Sequence, residues 1–149
     1  MIDSHEHHEF TGPAAFEAVR RLDALGQRAD YAGQVVLDRN RLKRIMRRHD
    51  PAVYPGKYTT CVHDPAKALC EKARSGSAEG LPEHGACQPL ACRNVALSPD
   101  NRAEWQAELV SIDTRLGSTL PPPPLLETRL RRRKDEITQF LAHRPTKSP

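Results

Sequence analysis

Four cysteines within thirty-two positions, Cys61, Cys70, Cys87 and Cys92, constrain this chain more than any other feature. They form two local pairs, Cys-x8-Cys and Cys-x4-Cys, separated by sixteen residues that include the small, polar, glycine-rich stretch 74–86. The remaining sequence offers little from which to build a large core. Hydrophobic residues are 38% of the 149 positions and aromatics 5%, while thirteen prolines and eight glycines cut the apolar pattern into short pieces. A chain with so thin a core calls for an additional staple.

Structural zinc takes four tetrahedral ligands and accepts thiolates well because the metal is borderline-soft. Two local pairs joined by a loop meet that need, since each pair can approach from one side. Neither pair has the Cys-x2-Cys spacing common in zinc knuckles, so other readings stand beside the four-thiolate site. His63, two residues after Cys61, or His84, three before Cys87, can replace one thiolate. An iron–sulfur cluster also takes four thiolates, and the bland reading is buried free thiols or disulfides. A catalytic zinc requires an open position and an acid–base partner. Glu71 and Glu83 lie near the cysteines without a His-x-Glu arrangement, so the site reads as structural.

Local signals divide the rest of the chain. Residues 1–12 read as a flexible lead-in and 143–149 as a disordered tail. A first helix is expected from Pro13 to about Leu25, with Phe16, Val19 and Leu22 at helical spacing and Gly26 as its stop. Asp38 is a good cap for a second helix over 39–49, which ends at Asp50-Pro51. Residues 51–60 read as an extended, turn-rich connector. Ser98-Pro99 opens a helix that runs to Leu116 before Gly117; Pro121 to Pro124 form a stiff corner, and a last helix covers about Leu125 to Ala142. The expected fold is therefore mainly α: short helices around a metal-stabilised loop region in a 13–97 module, followed by an antiparallel helical hairpin over 98–142.

The net charge of +4 becomes informative where it clusters. Arg39, Arg41, Lys43, Arg44, Arg47 and Arg48 place six cations in ten positions of the second expected helix, where they can track a phosphate backbone. A second run, Arg129 and Arg131 to Lys134, is partly balanced by Asp135 and Glu136. The bland reading of both is a solvated helix face. No apolar run approaches the roughly 20 residues of a membrane span, and the His- and Glu-rich start has no signal-peptide pattern. A cytoplasmic protein with no membrane partner is the default expectation. Catalysis finds little support: no Walker loop, Gly-x-Ser-x-Gly or activated-phenol constellation around Tyr54 or Tyr58 is present.

The stretches YTTCVHDPAKALC (58–70) and CQPLACRNVAL (87–97) resemble the C-terminal cysteine-bearing region of actinobacterial site-specific integrases of mobile elements, as do residues 33–36 and the expected hairpin. Those integrases are similar to tyrosine recombinases, whose tyrosine, arginine and histidine constellation lies upstream of the matched region and has no counterpart here. The resemblance implies a non-catalytic tail module that assists DNA binding or assembly in DNA integration. Its partners would be duplex DNA through residues 39–48, or an integrase or other protein through the 98–142 hairpin. A protein-interaction module without a DNA role is the alternative.

Overall fold

Gly12 lies just before the first helix. Its φ of +95° is open to glycine at little cost, and a Cβ there would meet the Val95 carbonyl oxygen at 3.1 Å. The computed structural model describes residues 10–31, 48, 50–70 and 86–142. Helix α1 spans Ala15–Tyr31. It runs through Gly26, where the sequence places its stop. One glycine costs a helix interior only about 1 kcal/mol, and Gln27, Arg28 and Ala29 after it all favour the helix.

Residues 51–60, expected as a connector, supply most of a β-hairpin. Strand β1 (Val53–Pro55) pairs antiparallel with β2 (Thr60–Val62), which pairs antiparallel with β3 (Val95–Ala96). The Gly56 amide donates to the Thr59 carbonyl at 2.9 Å to close the intervening turn. Thr11 continues the sheet by exchanging both backbone hydrogen bonds with Leu97.

The expectation of a mainly helical fold with short helices around a metal-stabilised loop region is thereby corrected. A three-stranded antiparallel sheet organises the cysteine segment, and among the described residues no group of three or more His, Cys, Asp or Glu side chains is placed to hold a metal ion. The sheet escapes a sequence reading because strands of two or three residues are too short to display alternation, and β3 comes from far along the chain.

The sheet is covered on both faces. Val53, Val62 and Ala96 pack against Ala14, Ala18 and Leu22 of the α1 side, with Phe10 beside them. Ala18 and Ala96 are both completely buried; small side chains let helix and sheet approach closely. Arg21 ties this layer down, its guanidinium donating to the carbonyls of Ala52 (3.2 Å) and His63 (2.9 Å) and to Glu17 (2.7 Å).

On the other face, Cys92, Val95 and Leu97 share a core with Trp105, Ile112, Leu130 and Ile137. These last four come from α2 (Pro99–Leu116) and α3 (Pro124–Ala142). The two helices are antiparallel: Trp105 meets Phe140 and Asp113 meets Lys134, so early positions of one lie beside late positions of the other. Ser98 caps α2 and Pro99 occupies its first turn, both as their residue types favour. No helix among the described residues is long and apolar enough to cross a membrane.

Candidate metal centre

Register places the first cysteine. Tyr54, Cys61 and Val95 are cross-strand partners and so lie on one face of the sheet, the face turned away from α1. A tight turn then carries the chain to Cys70. The Asp64 carbonyl accepts from the Lys67 and Ala68 amides, each at 3.0 Å, and its carboxylate accepts from the Ala66 amide. The buried Asn94 side chain donates to that same Asp64 carbonyl at 2.9 Å, tying the first cysteine segment to the second. Gln88 shapes the second pair, its carbonyl accepting from the amides of Ala91 (3.1 Å) and Cys92 (3.0 Å).

All four cysteines consequently line one cavity of about 280 Å³, together with Tyr54, Tyr58 and Val95. They are free thiols; Cys70 and Cys92 are buried, Cys61 is partly buried and Cys87 is exposed. Burial, reinforced by negative charge on Cys92, Cys87 and Cys70, pushes the Cys61 thiol up to about 12. Cys87 is raised by burial and by Cys92 and Cys70. The other three thiolates are thus close enough to disfavour that of Cys61, which without a cation stays protonated at neutral pH. The thiols ring the cavity but do not meet in a ready ligand group. A zinc–sulfur bond is about 2.3 Å long, so binding there requires the walls to draw in. Of the four, Cys87 is the exposed one.

Of the two reserve ligands only His63 is among the described residues, and it does not line the thiol cavity. His63 lines a separate depression with Arg20, Arg21 and Asp50, its ring edge-on to Tyr54 at 6.4 Å between centroids. His84 lies outside the described residues, as do Arg39, Arg41, Lys43, Arg44 and Arg47 of the basic segment; Arg48 is exposed. Tyr54, without an assigned role in the sequence reading, is a wall of the thiol cavity. Its hydroxyl donates to Asp50 at 3.1 Å. Burial and the Asp50 carboxylate hold its pKa above the ordinary phenol value, so it serves as a neutral donor and not as an activated nucleophile.

Sequence reasoning also missed the junction beside the cavity. Asn101 sits three residues after the Ser98 cap and completes a capping box, its side-chain oxygen accepting from the Ser98 amide. The residue type at that position was the available signal, although Glu or Gln is the usual occupant. The same oxygen accepts from Thr60, and its amide donates to the carbonyls of Gly56 (2.7 Å) and Lys57 (3.0 Å). One turn later, the Trp105 indole donates to the Tyr58 carbonyl at 2.7 Å. The β1–β2 hairpin, which carries the cavity walls Tyr54 and Tyr58, is therefore clamped to α2 through its turn.

No protein-family model, curated protein or solved structure matches the chain significantly.

Proposed function

We propose that this chain is a non-catalytic, zinc-binding module that assists DNA binding or assembly, as its likeness to integrase tails implies. The observation that carries the metal reading is the convergence of four cysteines from two separate sequence segments on one cavity. Two thiols come from the sheet and the turn after it, and two from the 87–92 turn. Zinc would join these segments by replacing mutually unfavourable thiolates with thiolates neutralised by a shared cation. Duplex DNA would meet the cationic segment Arg39–Arg48, reading phosphate and not sequence.

The alternative, a protein-interaction module built on α2 and α3, ranks below this reading. Trp105, Ile112, Leu130 and Ile137, the strongest apolar positions of that hairpin, are already buried within the chain.

Metal content measured on protein purified without an affinity histidine tag tests the first part. About one zinc per chain is expected, with a lower urea midpoint by circular dichroism on chelation. Cys87→Ser should lower zinc affinity at least ten-fold while leaving the metal-free spectrum unchanged, because this residue is exposed. A protein that takes up no zinc would overturn the metal reading. For DNA, the combined Arg44→Ala, Arg47→Ala and Arg48→Ala variant should bind duplex more weakly with a shallower salt dependence; unchanged affinity and slope would remove this segment from the proposal.

A further inference from the structure

A groove of about 860 Å³ runs between the 87–93 segment and the C-terminal half of α3. Arg93 stands on one wall and Arg132 and Arg133 on the other, against a single carboxylate among the described residues, Glu136. Leu90 and the Phe140 ring give the groove an apolar lining between these charges. We propose that this groove binds an unpaired nucleic-acid strand, with phosphates on the guanidiniums and a base against Phe140.

Three features favour that occupant. Guanidiniums on opposing walls suit an anionic chain passing between them, since each presents a planar fork matched to phosphate oxygens. A charged groove with an aromatic ring is the arrangement by which proteins hold single strands without sequence preference, because every base has a face to stack. A duplex offers phosphates but keeps its base faces stacked inside, so it cannot use Phe140.

The cations are also positioned to serve. Arg133 lies over the Trp105 ring at 5.3 Å, which restricts its guanidinium before any ligand arrives. Arg132 is paired with Glu136 at 3.0 Å, but its side chain is 81% exposed, and so exposed a pair is weak enough for a phosphate to displace. The groove is built from other residues than the expected duplex-binding segment. Only the choice of nucleic acid as partner class leans on the function proposed above.

The experiment uses the full chain with fluorescently labelled oligothymidylate, read by anisotropy, and with quenching of Trp105, the single tryptophan, which lies beneath Arg133. The Arg93→Gln, Arg132→Gln double variant should bind at least ten-fold more weakly, with a log–log salt slope shallower by about 1.4, the value for two contacts to a single strand. Phe140→Leu should weaken binding about ten-fold with the slope unchanged, because it removes stacking and no charge. Circular dichroism checks that both variants fold.

The combined Arg44, Arg47 and Arg48 alanine variant should leave oligothymidylate binding intact, so loss of the duplex site and loss of the groove read out separately. Wild-type affinity in the double arginine variant overturns the proposal. Oligoglutamate binding as tightly as oligothymidylate, with no effect of Phe140→Leu, overturns it in favour of an acidic protein partner.

Discussion

The junction of Asn101 and Trp105 with the β1–β2 turn and the thiol cavity beside it share walls but are built on opposite principles. At the junction every polar atom of the Asn101 side chain has a protein partner: two carbonyls for its amide, and a hydroxyl and a backbone amide for its oxygen. Trp105 is packed among Tyr58, Phe140 and Arg133. The cavity, in contrast, gathers four groups whose charged forms repel one another. The first region holds the fold together with the chain's own groups. The second concentrates ligand chemistry that the junction keeps in place.

Trp105→Ala should break this division most severely. It removes a fully buried ring and the hydrogen bond to Tyr58, and a buried tryptophan truncated to alanine costs about 3–5 kcal/mol. Urea unfolding followed by far-ultraviolet circular dichroism measures the loss, which should be the same with and without zinc if the junction is independent of the cavity. A cost that appears only in zinc-loaded protein would show that the two regions act as one.

Asn101→Ala should cost less, about 2 kcal/mol, because it leaves the buried Thr60 hydroxyl short of a partner, while Gly56 and Lys57 are exposed and their carbonyls can turn to water. Asn101→Asp sharpens the test. It keeps the acceptor for Thr60 and Ser98 but turns a second oxygen toward two carbonyls, so it should destabilise about as much as alanine. Equal stability of the Asp variant and wild type would mean that the clamp on the β1–β2 turn carries little of the fold.

How much of this was legible in the sequence follows the range of each signal. Ser98, Pro99 and Gly117 act within one helical turn, so the ends of α2 could be read directly. The apolar periodicity of α2 and α3 spans several turns and survives the interruption at Arg133. The sheet depended on pairing Cys61 with Val95 across a long, glycine-rich separation, and no local pattern specifies such a partner. The cysteines were legible as a set because their residue type is rare and chemically distinctive. The end of β2 at Val62 was not, so His63, which two-residue alternation would put beside Cys61 in a longer strand, lines another depression instead. Asn101 was hidden by its role. An asparagine in a first helical turn reads as ordinary, and its four partners come from the cap and from a turn whose position only the sheet fixes.

The smallest effect lies on the far face of the sheet and shows where neither principle applies. Glu17 bridges Arg20 and Arg21, and Arg21 in turn holds the Ala52 and His63 carbonyls. The Arg20 hydrogen bond, with Arg21 assisting against the cost of burial, brings the Glu17 pKa down from an ordinary value near 4.5 to about 2. In the unfolded chain this carboxylate takes up its proton near pH 4.5, whereas in the folded chain it stays ionised to about pH 2. Its contribution is therefore complete above pH 4.5 and is lost as pH falls from there toward 2. The latch is partly exposed, so solvent screening limits its worth to about 1 kcal/mol. Glu17→Gln should lower stability by that amount at pH 7 and by almost nothing at pH 2, measured as paired urea midpoints at the two values. A penalty that persists undiminished at pH 2 would mean that Glu17 acts through packing alone, and the α1 layer would then be joined to the sheet by Arg21 and its two carbonyls without help from charge.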